Sequence, residues 1–127
     1  MNAAYEQRRR ALVAANRVRF ARAGLKHNLR MLPTQEAARL RAAEIIESPP
    51  PAAVGMRVEE LLLACRRLGP KYMRRYLDAA RVDGSRTIGS LSERERGALC
   101  ALLRLGVAVP GDERAARHRE RKAVGTR

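Results

Sequence analysis

Tryptophan is absent from this 127-residue chain, phenylalanine occurs once (Phe20) and tyrosine three times. Tolerant binding of single strands relies on stacking bases against aromatic rings, so the scarcity of rings favours a duplex over a single strand as any nucleic-acid ligand. Tyr72 and Tyr76 fall four apart and read as packing residues with wet hydroxyls. Histidine occurs only at His27 and His118, neither beside a nucleophile in sequence. The two cysteines, Cys65 and Cys100, form no Cys-x-x-Cys pair and have no histidine at ligand spacing. That argues against a zinc site and leaves two reduced, buried thiols as the expectation, with a disulfide between them as the alternative. A glycine-rich phosphate loop is missing. No apolar run approaches the 18 residues of a membrane span, and the first residues carry no apolar leader. No segment alternates apolar and polar residues with β-branched enrichment, so the fold class is all-α. With catalytic side chains this sparse, the expectation is a protein that is no enzyme and has no cofactor or metal.

What the chain has is positive charge. Lysine and arginine number 27 against 13 acids, a net charge of +14 and a pI near 11.4. Such a field draws polyanions, nucleic acid first and an anionic membrane surface second. The basic residues are arginines except at Lys26, Lys71 and Lys122, and the guanidinium fork matches phosphate oxygens. Apolar residues make up 46%, enough for one modest core.

Residues 1–32 contain no proline and many helix formers, and predict one long helix. Ala11, Ala14, Val18, Ala21, Leu25, Leu29 and Leu32 recur at steps of three and four along one stripe. Arg19, Arg22, Lys26 and Arg30 make a second stripe. This segment holds eight basic residues against one acid, Glu6. A face that is only soluble mixes its signs, so the stripe reads as a binding surface. Thr34 is the expected N-cap of a second helix, with Glu36 in its first turn, running to Ser48 before Pro49-Pro50-Pro51 stops it. Residues 33–60, with three basic residues and five acids, should face away from a polyanion.

Met56–Leu68 predicts a short amphipathic helix on Val58, Leu61, Leu62, Cys65 and Leu68. Gly69-Pro70 ends it, and Pro70 suits the start of the next helix. That helix, Lys71 to about Arg81, turns Met73, Leu77 and Ala80 inward and leaves Lys71, Arg74, Arg75 and Arg81 outside. Asp83-Gly84 is a turn. Ser92 and Glu95 have capping-box spacing with Leu91 as staple, opening a helix that stops at Gly106. Residues 112–127 are a basic tail. The organisation expected is a helical arm over 1–55, a module over 56–109 and the tail from 110 to 127.

Two basic, glycine-bearing turns joined to helices suit a phosphate backbone, because a helix N-terminus offers N–H donors and a favourable dipole. Arg67, Gly69, Lys71, Arg74 and Arg75 are expected to hold one stretch of backbone. Arg86 with Thr87, Gly89 and Ser90 would hold the other. The stripe of Arg19, Arg22, Lys26 and Arg30 is a candidate second surface, which would allow bridging of duplexes or clamping of a bend.

Three pieces carry a family resemblance: Ala15-Asn16-Arg17-Val18-Arg19 with Ala21-Arg22-Ala23-Gly24-Leu25-Lys26; Met56-Arg57-Val58 leading to Leu61-Leu62 and the Gly69 turn; and Thr87-Ile88-Gly89-Ser90-Leu91-Ser92-Glu93-Arg94 leading to Leu99. Residues from about 8 to 104 resemble the actinobacterial integration host factor family of nucleoid-associated proteins. The resemblance implies a long N-terminal helix packed on a helix-two-turn-helix module like that of a small-subunit ribosomal protein. It also implies binding, bending or compaction of double-stranded DNA with little sequence preference, and assistance to phage integrase. A cytoplasmic, nucleoid location and a monomer in the absence of DNA go with it. Many members carry Pro-Gly-x-Gly before the basic helix; here Arg67 stands at the first glycine position and Gly69 at the second. The alternatives are an RNA- or ribosome-associated protein, and an adaptor accessory to an integrase.

Overall fold

A computed structural model describes residues 2–106. The tail from 110 to 127, with His118, lies outside the described residues. The order is α1 (Ala3–Met31), α2 (Gln35–Glu47), α3 (Pro51–Val54), α4 (Val58–Ala64), α5 (Gly69–Ala80), a 3-10 turn (Ile88–Ser90) and α6 (Glu93–Leu105). The described residues form no strand; one isolated bridge joins Arg57 and Thr87. The fold is all-α.

The helix ends follow the local signals. Asn2 caps α1 through its side chain on the Ala4 N–H (3.1 Å), and Thr34 caps α2 on the Ala37 N–H (3.0 Å). Ser92 and Glu95 close both halves of the capping box, and Gly106 ends α6 with φ +85°. Two boundaries differ from the expected ones. Pro51 does not only stop a helix; as first residue it opens the short α3. And α4 ends at Ala64 rather than Leu68, because Cys65 is extended and Arg67 takes φ +59°. Leu68 stays fully buried all the same, since the turn folds back over the core.

The core is one cluster. α2 and α6 run antiparallel and face each other through Ala38, Ala42, Ala43 and Ile46 on one side and Leu99, Cys100 and Leu103 on the other. Small side chains on α2 let the helices approach: the Cys100 thiol reaches the Ala43 carbonyl at 3.4 Å, and Arg39 Nη1 donates to the Leu103 carbonyl at 2.7 Å. Met56, Leu61, Leu62, Tyr76 and Ile88 extend the cluster, so a single core spans residues on both sides of position 55. Tyr76 is buried more deeply than a wet-tipped packing residue. Both cysteines are free, and burial pushes the Cys65 thiol up to about 12, so it stays protonated.

α1 is a different case. Only Leu25, Leu29 and Leu32 of its apolar stripe join the core, and Leu29 alone is fully buried. From Asn2 to Ala21 every residue is exposed except the half-buried Glu6. At 1.5 Å per residue, α1 is about 43 Å long, and the 13-residue α2 and α6 about 20 Å. The body ends before the helix does, so Ala11 and Ala14 overhang it, and Val18 and Ala21 stay exposed beside it.

Candidate nucleic-acid interface

The turn between α4 and α5 is where sequence and geometry concentrate. Arg67 (φ +59°), Leu68 (φ −77°, ψ −43°) and Gly69 (φ +58°) alternate left, right, left. Such alternation turns successive N–H groups to one side and forms a concavity for an anion. The Leu68 N–H is engaged by the Cys65 carbonyl at 3.2 Å, and Pro70 has no N–H, so the donors left to the turn are those of Arg67 and Gly69. A Cβ on Gly69 would meet nothing within 4 Å, so the space over the turn is open.

α5 continues from it with two faces. Tyr76, Leu77 and Ala80 are buried, and Tyr72 and Met73 half-buried. Lys71, Arg74, Arg75 and Asp78 line the exposed side at steps of three, one and three. The structure thus brings Arg67, Gly69, Lys71, Arg74 and Arg75 into one continuous strip of turn and helix. Arg66, half-buried at the start of the turn, adds a further guanidinium.

The turn before α6 is built differently. Arg86 donates to both carboxylate oxygens of Glu95 (3.1 and 3.3 Å) and to the Ser90 carbonyl (2.6 Å). Ser90 Oγ donates to the Thr87 carbonyl at 2.8 Å. A Cβ on Gly89 would stand 2.5 Å from Val54 Cγ1 and 3.0 Å from the Val54 carbonyl oxygen, so glycine is needed there for close packing on α3. The Arg86 carbonyl and the Ile88 N–H tie the turn to Val58 and Met56 (2.9 Å each). Arg86, Thr87, Gly89 and Ser90 therefore hold the molecule together at the N-terminal end of α4. The Arg67–Gly69 turn lies past its C-terminal end, about 10 Å away for a seven-residue helix.

The stripe on α1 divides likewise. Arg19 and Arg30 are exposed. Arg22 Nε donates to the Ala52 carbonyl at 2.9 Å, and Lys26 pairs with Glu60 at 2.9 Å, so these two fasten α1 to the body. The overhang adds the exposed Arg8, Arg9, Arg10 and Arg17, whose signal in the sequence was the near absence of acids around them. An open, carbon-lined groove of about 550 Å³ runs between Val18, Ala21, Gly24 and Leu25 of α1 and Pro50–Ala52.

Several side chains had no legible role. Arg96 reaches the carbonyls of Ile46, Ile88 (3.0 Å) and Leu91 (3.4 Å), joining three segments. Arg94 caps the end of α5 on the carbonyls of Ala80 (3.2 Å) and Arg81 (3.3 Å). Gln35 Nε2 donates to the Arg67 carbonyl at 3.0 Å. No sequence spacing announces these contacts, because each partner lies on another element. Two acids of 33–60 are used in the same way, Glu60 by Lys26 and Glu47 by Arg104, while Glu44 pairs with Arg41 three positions back on α2.

Hydrogen bonds from the Ser92 N–H and hydroxyl, and then Arg86, hold the Glu95 carboxyl below its ordinary range. The Ser85 N–H and hydroxyl do the same for Asp83. A carboxylate whose pKa is lowered on folding stabilises the fold above its unfolded value and loses that contribution as pH falls through the folded one. Thermal stability should hold from neutrality to about pH 5 and fall below about pH 4. In Glu95→Gln, melting followed by circular dichroism should show a shallower acid decline than the parent; an identical decline would remove Glu95 from the cause.

Among the described residues, no cluster of three or more His, Cys, Asp or Glu could hold a metal, and no helix is long and apolar enough to cross a membrane. No family model matches the chain, and no curated protein or solved structure matches it either.

Proposed function

We propose that this protein binds double-stranded DNA through its phosphate backbone, with little sequence preference. The observation that carries this reading is the left–right–left turn Arg67–Gly69 running directly into the exposed basic side of α5. N–H donors and a helix N-terminus take a phosphate oxygen, while Lys71, Arg74 and Arg75 supply charge along the neighbouring phosphates. Contacts of this kind position a duplex without reading its bases. Arg19 and Arg30, with Arg8, Arg9, Arg10 and Arg17 on the overhang, add a basic arm beside the body. Two contact regions on one chain suit bending or compaction, as in an integration-host-factor-like nucleoid protein, and a role beside a phage integrase belongs to the same reading.

Competition tests it. A labelled DNA duplex bound by the full chain should be displaced by unlabelled DNA of unrelated sequence at equal concentration. An A-form RNA duplex of the same length, with its different grooves and 2′-hydroxyls, should need about tenfold more. RNA winning that comparison would transfer the site to an RNA- or ribosome-associated protein.

A further inference from the structure

Arg67 and Arg81 are the two described residues other than glycine with positive φ. L-residues with a Cβ avoid this region, so each needs something to hold it there. Both are held in the same manner, by a side chain from another helix on the backbone carbonyl. Arg94 of α6 donates to the Arg81 carbonyl at 3.3 Å, and Gln35 of α2 donates to the Arg67 carbonyl at 3.0 Å. Arg81 ends a helix, and its own N–H is bonded back to the Asp78 and Leu77 carbonyls. Arg67 lies between helices, so the hold from Gln35 matters more.

The peptide that joins Arg67 to Leu68 is fixed at both ends. Its carbonyl accepts from Gln35, and its N–H donates to the Cys65 carbonyl at 3.2 Å. The N–H groups on either side, those of Arg67 and Gly69, are the ones the turn can present to an anion. Without Gln35 that exposed carbonyl is left to water, which holds it in no fixed direction, and Arg67 is free to relax toward right-handed backbone, which turns those donors apart.

We infer that Gln35 is a positioning residue for the anion-binding turn: from the first residue of α2 it locks Arg67 left-handed and so keeps the turn preformed for a phosphate. The inference rests on the reading of that turn as a phosphate site.

The test is a cycle on the full chain with a labelled mixed-sequence duplex, read by fluorescence anisotropy. Alanine propagates helix at least as well as glutamine, so Gln35→Ala should leave α2 intact. It should weaken binding about fivefold, as expected for one lost organising hydrogen bond. Glycine takes positive φ without help, so in an Arg67→Gly background the same Gln35→Ala change should cost nothing further. A general loss of stability would weaken both backgrounds alike, and that result overturns the inference. Unchanged binding by Gln35→Ala, while Lys71→Ala/Arg74→Ala weakens binding, overturns it and leaves the site standing. Unchanged binding by that double variant as well removes the site itself.

Discussion

Replacing Lys71 and Arg74 together with alanine should lower affinity for duplex DNA by about tenfold or more at ~0.1 M salt, and by the same factor on unrelated sequences. Both side chains are exposed and stand on the side of α5 opposite its buried residues, so their loss leaves the core untouched. Each charge that neutralises a phosphate contributes about one unit to the slope of log affinity against log salt. The double variant should therefore show a slope shallower by about two. Its melting curve should match the parent's, since surface substitutions away from special features change stability by about 0.5 kcal/mol or less. An affinity loss on one sequence only would mean that these residues read bases.

The second large effect is on the fold. Leu99 is fully buried in the cluster that α6 shares with the small residues of α2. Leu99→Ala removes three carbons where the neighbours cannot collapse, because α2 is already held close by Arg39 and by Cys100 on the Ala43 carbonyl. The expected cost is about 3 kcal/mol. For about 100 ordered residues that corresponds to a drop in Tm on the order of 15 °C. Chemical denaturation followed by circular dichroism measures it, and a loss below about 1 kcal/mol would show that the α2–α6 seam is not the centre of the core.

Local signals made much of the fold legible. The caps at Thr34 and Ser92, the stop at Gly106 and the unbroken run of helix formers before Pro33 act within one turn of the chain, and each held in the structure. What depended on distant partners was not legible. The apolar spacing through Leu68 predicts a longer α4, because nothing local shows that Arg67 turns left-handed. Arg86, Arg22 and Lys26 read as charge for a ligand, but carbonyls and carboxylates far along the chain, at Glu95, Ala52 and Glu60, engage them. Arg39, bonded to a carbonyl 64 positions away, and Arg96, bonded to one 50 positions away, are further cases. Burial of Leu29 could be read from its stripe, but the end of the body near Arg22 could not, since a periodic pattern does not reveal the length of the surface beneath it.

The division of the arginines has a consequence for function. Charge on the chain is not spread uniformly as a solubilising coat. Among the described residues it is used internally at the second turn, where α1 joins the body and at Arg39, Arg94 and Arg96, and it stays exposed on α5, around the first turn and on the overhang of α1. That distribution, more than the net charge, is what the proposed reading of α5 as a phosphate-binding strip rests on.

The measurement that tests this most directly is anisotropy of a labelled duplex with the intact chain across a salt series, repeated with a second duplex of unrelated sequence. The account predicts tight binding at low salt, a steep negative log–log slope and coincident curves for the two sequences. Weak binding at low salt, or a shallow slope with one sequence strongly preferred, would contradict it.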